Sequence, residues 1–146
     1  MNHRTALTFC VLFSFALAGC SGNATLHGKV TFEDGTPLTV GTVNFTSENG
    51  LSRGTIRPDG TYQIGTLKFA DGLPPGQYRV YISGALEQTG DTNEQRDRTG
   101  VRVPVITTRP LIDPQFAAAE STPLTCDVPA PQNRFDITVT PFGGNR

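Results

Sequence analysis

The chain has no tryptophan, one methionine, two histidines and three cysteines in 146 residues, and its formal net charge is only -1. Each shortage removes a class of function. Without an excess of basic charge there is no electrostatic footprint for nucleic acid. The charges that exist are scattered singly, as on a solvated globular surface. Beyond the first nineteen residues one histidine remains, His27. A Ser-His-Asp or Cys-His centre needs an imidazole beside its nucleophile, and one histidine with so few cysteines cannot supply the four ligands of a structural zinc site. His27 therefore reads as an exposed surface histidine. No cofactor is expected, no glycine-rich phosphate cradle follows a strand and opens a helix, and the chain is not expected to be an enzyme.

Long apolar runs are scarce too. The one present, Ala6 to Ala18, "ALTFCVLFSFALA", follows the positive Arg4 and has thirteen residues. That is the shape of an export signal, and it is short of the roughly 20 residues a membrane helix needs. It ends in "LAGC", which resembles the lipobox of bacterial lipoprotein signals. The resemblance implies cleavage before Cys20, a diacylglyceryl group on its thiol and an acylated new amino terminus, with acyl chains such as palmitate. Residues 1–19 then form the signal peptide, and 20–24 the lipidated cysteine and its tether. Chains contributing about 0.8 kcal/mol per buried methylene would hold the protein on a membrane.

Cysteine arithmetic follows. Cys10 leaves with the signal and Cys20 is taken by lipid, so Cys126 remains alone and no internal disulfide is expected. In "LTCDV" it alternates in phase with Leu124 and Val128, which predicts a buried, inert thiol.

What the chain does have is glycine (16), proline (11) and short runs of β-branched and aromatic residues. Period-two segments recur between turn signals in "TLHGKVTF", "TVNFT", "TYQIG", "QYRVYIS", "LTCDV" and "RFDITVT", with a weaker one in "SRGTIR". Val101 to Thr107 is a further strand-like piece that Pro104 confines to an edge or bulge. Seven or eight strands, each apolar on one face, predict two sheets packed by their inner sides. The turns Asp34-Gly35, Asp59-Gly60 and Asp71-Gly72 lie between strands. "FAAAES" has room for a single helical turn.

Four stretches then carry a resemblance: "GKVTFEDGTPLTVGTVNF", "RPDGTYQI", "LPPGQYRVYI" and "IDPQFAAAESTPLTCDVPAPQNRFDITV". In this order after a lipobox, they resemble short bacterial lipoproteins with a carboxypeptidase regulatory-like, transthyretin-like domain. Where that family often has Lys and Tyr, this chain has Gln115 and Phe116. The resemblance implies a seven-stranded transthyretin-like (prealbumin-like) β-sandwich over residues 25–146, and it brings no established catalytic residues. Binding is the class left, either as a non-enzymatic structural or interaction module of the cell envelope or as a small carbohydrate- or wall-binding lipoprotein. An outer-membrane or periplasm-facing position is expected.

Two places are candidates for contact with an envelope protein or a glycan. One is the polar segment Gly84 to Gly100, read as a solvated loop, with Thr92, Asn93 and Arg96 as its contact residues. Its "DTNEQRD" starts like a calcium loop, but Arg96 and Arg102 stand where that loop needs Gly and Glu. The other is Tyr81, on the outward phase between Arg79 and Ser83. About four residues separate Cys20 from the first strand, a reach of roughly 15 Å, so the domain is expected to sit close to the membrane. Its far end would carry the loops at 34–41, 58–60 and 84–100.

Overall fold

The computed structural model describes residues 22–48, 50–65, 72–96, 98–100 and 102–144. The expected signal peptide and Cys20 lie outside these. Nine strands occur among the described residues: β1 (His27–Phe32), β2 (Thr42–Ser47), β3 (Gly50–Thr55), β4 (Thr61–Gln63), β5 (Gly76–Ser83), β6 (Leu86–Arg96), β7 (Arg102–Pro110), β8 (Thr125–Val128) and β9 (Ile137–Val139). They form a three-stranded sheet in the order β4-β1-β9, a four-stranded sheet in the order β3-β2-β5-β8, and a separate ribbon of β6 and β7. The fold is all-β.

Alternation dictates which side of each strand is buried. Val43 and Phe45 on β2, Tyr78, Val80 and Ile82 on β5, and Cys126 and Val128 on β8 turn to one side of the larger sheet and are buried. Val30, Tyr62, Ile137 and Val139 do the same from the smaller sheet. The two apolar sides meet in one core. Phe45 stands at its centre, with ring centroids 6.4 Å from Tyr62, 6.3 Å from Tyr78 and 6.1 Å from Phe135. These are spacings at which aromatic pairs attract beyond their buried area. Beside this cluster β1 passes so close to the last segment that only glycine fits. A Cβ on Gly28 would collide with the carbonyl of Phe135 and the hydroxyl of Tyr62.

Two turns repeat one piece of chemistry. The Asp34 carboxylate accepts from the backbone N–H and hydroxyl of Thr36, and Asp59 does the same for Thr61. The glycine between them takes a positive φ, +84° at Gly35 and +82° at Gly60. The local sequence Asp-Gly-Thr is thus a complete turn instruction.

The structure corrects the sequence reading in two places. Seven strands are implied by the resemblance, whereas nine occur among the described residues. The segment Gly84 to Gly100, expected as a solvated loop, carries the eleven-residue strand β6, the longest of the nine among the described residues. Its polar composition hid it, because a strand whose sequence has no alternating apolar residues leaves no period to read. Pro104 does lie in an edge strand, opposite Glu94. Asn44, between the inward Val43 and Phe45 of β2, is also buried. Its amide donates to the carbonyl of Thr42 at 3.0 Å and to the Ser83 hydroxyl at 2.9 Å, which satisfies it within the sheet.

The ends of the molecule are distinct. At one end Ala24 pairs with Leu73, beside the start of β1. At the other, the carbonyl of Val30 packs against Gly60, and Gly60 against Pro37. The ribbon springs from this second end. Its base is closed by the N–H of Leu111 donating to Ala85 at 3.0 Å, and Ile112 bridges Pro141 just past β9, which runs parallel to β1.

Candidate functional site

The ribbon is the first candidate. Its base positions Leu86, Glu87 and Gln88 on β6 and Thr107 to Pro110 on β7 are all exposed. Successive residues of a strand point to opposite faces, so both faces of the ribbon base meet solvent. Glu87 and Arg109 form an ion pair at 2.9 Å, with about half of each side chain exposed. Such a pair contributes little to stability. A register irregularity falls between Thr89 and Asn93, where β6 uses more residues than β7. Thr92 lies inside it, Asn93 opposite Val105, and Arg96 opposite Arg102. Their side chains are outside what the structure describes.

Tyr81 is elsewhere. It lies on β5, half-buried, beside Asn44, and Arg53 lies beyond Asn44 on the same row of the four-stranded sheet. The sequence candidates therefore fall on two separate sheets.

A second candidate was not legible in sequence. At the end of the four-stranded sheet where the described chain begins, a groove of about 680 Å³ is lined by Thr46, Ser47, Glu48, Gln77, Arg79 and Thr125, with the buried Tyr78 beneath. Register builds it: Thr46 lies opposite Arg79, and Arg79 opposite Thr125, so the three form one row across β2, β5 and β8. Arg79 is steadied by a 3.1 Å bond to the carbonyl of Ala119. Each residue is an ordinary outward polar position, and only strand pairing brings them together. The arrangement offers hydroxyls, a carboxamide, one carboxylate and one guanidinium, a set suited to hydrogen-bonding a polar ligand.

The remaining chemistry-bearing groups sit apart from both candidates. His27 is exposed on β1. Cys126 is buried, and burial, helped by the neighbouring charge of Asp127, pushes its thiol up to about 11, the direction that makes a thiol inert. Tyr62 is raised further, chiefly by burial. The Thr36 hydroxyl holds Asp34 below the usual carboxylate range, and the Thr61 hydroxyl does so for Asp59. Among the described residues no group of three His, Cys, Asp or Glu could hold a metal ion. No helix among them is long and apolar enough to cross a membrane.

Compared with known protein families, with curated proteins and with solved structures, the chain matches none.

Proposed function

We propose that this protein is a lipid-anchored, non-enzymatic interaction module of the bacterial cell envelope, built on a seven-stranded transthyretin-like sandwich and anchored through Cys20. The observation that carries this reading is the position of the ribbon. It stands outside both packed sheets, at the end opposite the one where the described chain begins. A strand rises about 3.3 Å per residue, so an eleven-residue strand extends up to roughly 35 Å. A domain tethered at its first residues would hold this arm away from the membrane, towards a partner. The "LAGC" stretch supports the anchor, and the two packed sheets fit the sandwich.

The test has two readouts in intact cells. An alkyne-bearing palmitate analogue should label the protein, and Cys20→Ala should abolish both the label and membrane fractionation. A photo-crosslinking residue at Thr92 should trap one recurring envelope protein. Labelling that survives Cys20→Ala would sink the anchor, and crosslinks confined to glycan would sink the protein-partner reading.

The polar groove favours a second reading, a carbohydrate- or wall-binding lipoprotein. It expects wall glycan fragments to shift the resonances of Thr46, Gln77 and Thr125, and Arg79→Ala to abolish the shifts.

A further inference from the structure

The two edges of the ribbon are not equivalent. The bond from Leu111 to Ala85 makes that pair a hydrogen-bonded one, and in an antiparallel ladder bonded and non-bonded pairs alternate. The next pair, Leu86 with Pro110, is therefore non-bonded, and the backbone N of residue 110 points away from β6. Counting along β7 by twos, positions 108, 106 and 104 also face outward. The register irregularity leaves this count intact, because its extra residues lie on β6, three between Thr89 and Asn93 against one between Thr107 and Val105, so the alternation along β7 is uninterrupted. Both prolines of β7, Pro104 and Pro110, thus occupy outward positions. There they cost the ladder nothing and remove donors from the outer edge, a known way of closing an edge strand.

β6 has no proline. By the same count the N–H groups of Gln88 and Glu94 point outward from it, and among the described residues no strand pairs with that edge. Along its length it carries Glu87, Asp91 and Glu94 against Arg96, an excess of two negative charges, and of the three carboxylates Glu87 is paired with Arg109. We infer that the outer edge of β6 is a strand-addition site, taking an extended, lysine- or arginine-bearing segment of a partner protein. Main-chain hydrogen bonds would supply affinity and the carboxylates would select a cationic segment. This rests on the interaction-module reading and goes beyond it by naming the edge and the chemistry of the partner.

The probe is a peptide of about eight residues alternating lysine and valine, added to the intact protein in detergent at low salt and followed by residue-resolved amide hydrogen exchange. Binding should slow exchange at Gln88 and Glu94 by about tenfold or more, as new main-chain bonds form. A glutamate-valine peptide should not bind. The lysine-valine peptide N-methylated at alternate residues should not bind either, which separates strand pairing from charge attraction without altering the protein. Gln88→Pro should lower affinity at least about tenfold, whereas Thr108→Pro, on the edge already closed, should leave it unchanged. Equal binding of the two charge types, binding of neither, or protection at Ile106 and Thr108 instead would overturn the inference. So would protection of Gln88 without peptide that grows with protein concentration, because the occupant would then be a second copy. A partner trapped in cells from Thr92 alongside a failed peptide assay would remove this edge reading and leave the module reading standing.

Discussion

Phe45 shows how much of this fold rests on single side chains. It comes from the central strand of the larger sheet and touches aromatic rings from β4, β5 and the segment before β9. Truncation would leave a void between two sheets that cannot close over it. Phe45→Ala should lower stability by about 3–5 kcal/mol, read as a fall in the urea midpoint with little change in slope. Cys126 makes a prediction about pH. Burial raises its folded thiol from an ordinary value of 9.0 to about 11, so its contribution to stability is fully present below pH 9 and is lost as pH rises towards 11. Tyr62, also raised by burial, acts in the same direction at higher pH. Urea midpoints should therefore fall between pH 8.5 and about 10.5, and Cys126→Ala should show a shallower fall. An unchanged slope in that variant would mean the thiol is not the group being titrated. Thiol reagents at neutral pH should react only as the protein unfolds.

At the scale of elements, the Asp-Gly-Thr turns fix where β1 ends and β4 begins. Their carboxylates are held below the usual range by threonine hydroxyls and N–H groups. A depressed folded value means that the stabilisation is present above the unfolded carboxylate value, near 4, and is lost as pH falls through the folded one. Asp59→Asn keeps an acceptor but cannot titrate, so its thermal midpoint should change less than the wild type's between pH 5 and pH 2.5. These turns were legible in the sequence because their chemistry is local, within three residues. Val43, Phe45, Tyr78, Val80 and Cys126 were legible because alternation marks a half-buried strand. β6 was not, since "LEQTGDTNEQR" has no apolar phase. Nor was the row Thr46, Arg79, Thr125, since it depends on two registers between segments distant in sequence, Thr46 with Arg79 and Arg79 with Thr125. The burial of Asn44 was not legible either, because its amide finds Ser83 only through strand pairing.

The molecule as a whole divides into a core that two sheets share and an arm that the core carries. Leu86 and Pro110 are exposed, and with Ser83 and Ala117 they line a small apolar cavity of about 240 Å³ beside the core residues Ile82 and Ile112. Glu87, Gln88 and Thr107 to Arg109 are exposed and lie outside that core. Replacing residues 88–108 with Asn-Gly would close the ribbon at Glu87 and Arg109, the first bonded pair beyond its base, with a two-residue hairpin. It would keep Leu86 and Pro110 at the rim of that cavity. Closing a long loop costs only about (3/2)RT ln n, so shortening it changes stability little. The shortened protein should melt within about 4 °C of the parent, keep the near-ultraviolet signature of the Phe45 and Tyr62 cluster, and lose every partner trapped from the ribbon. Collapse of the core in this variant would instead make β6 and β7 a structural brace. The arm would then have to be dropped as the partner-facing surface, and the polar groove beside Arg79 would become the site to pursue.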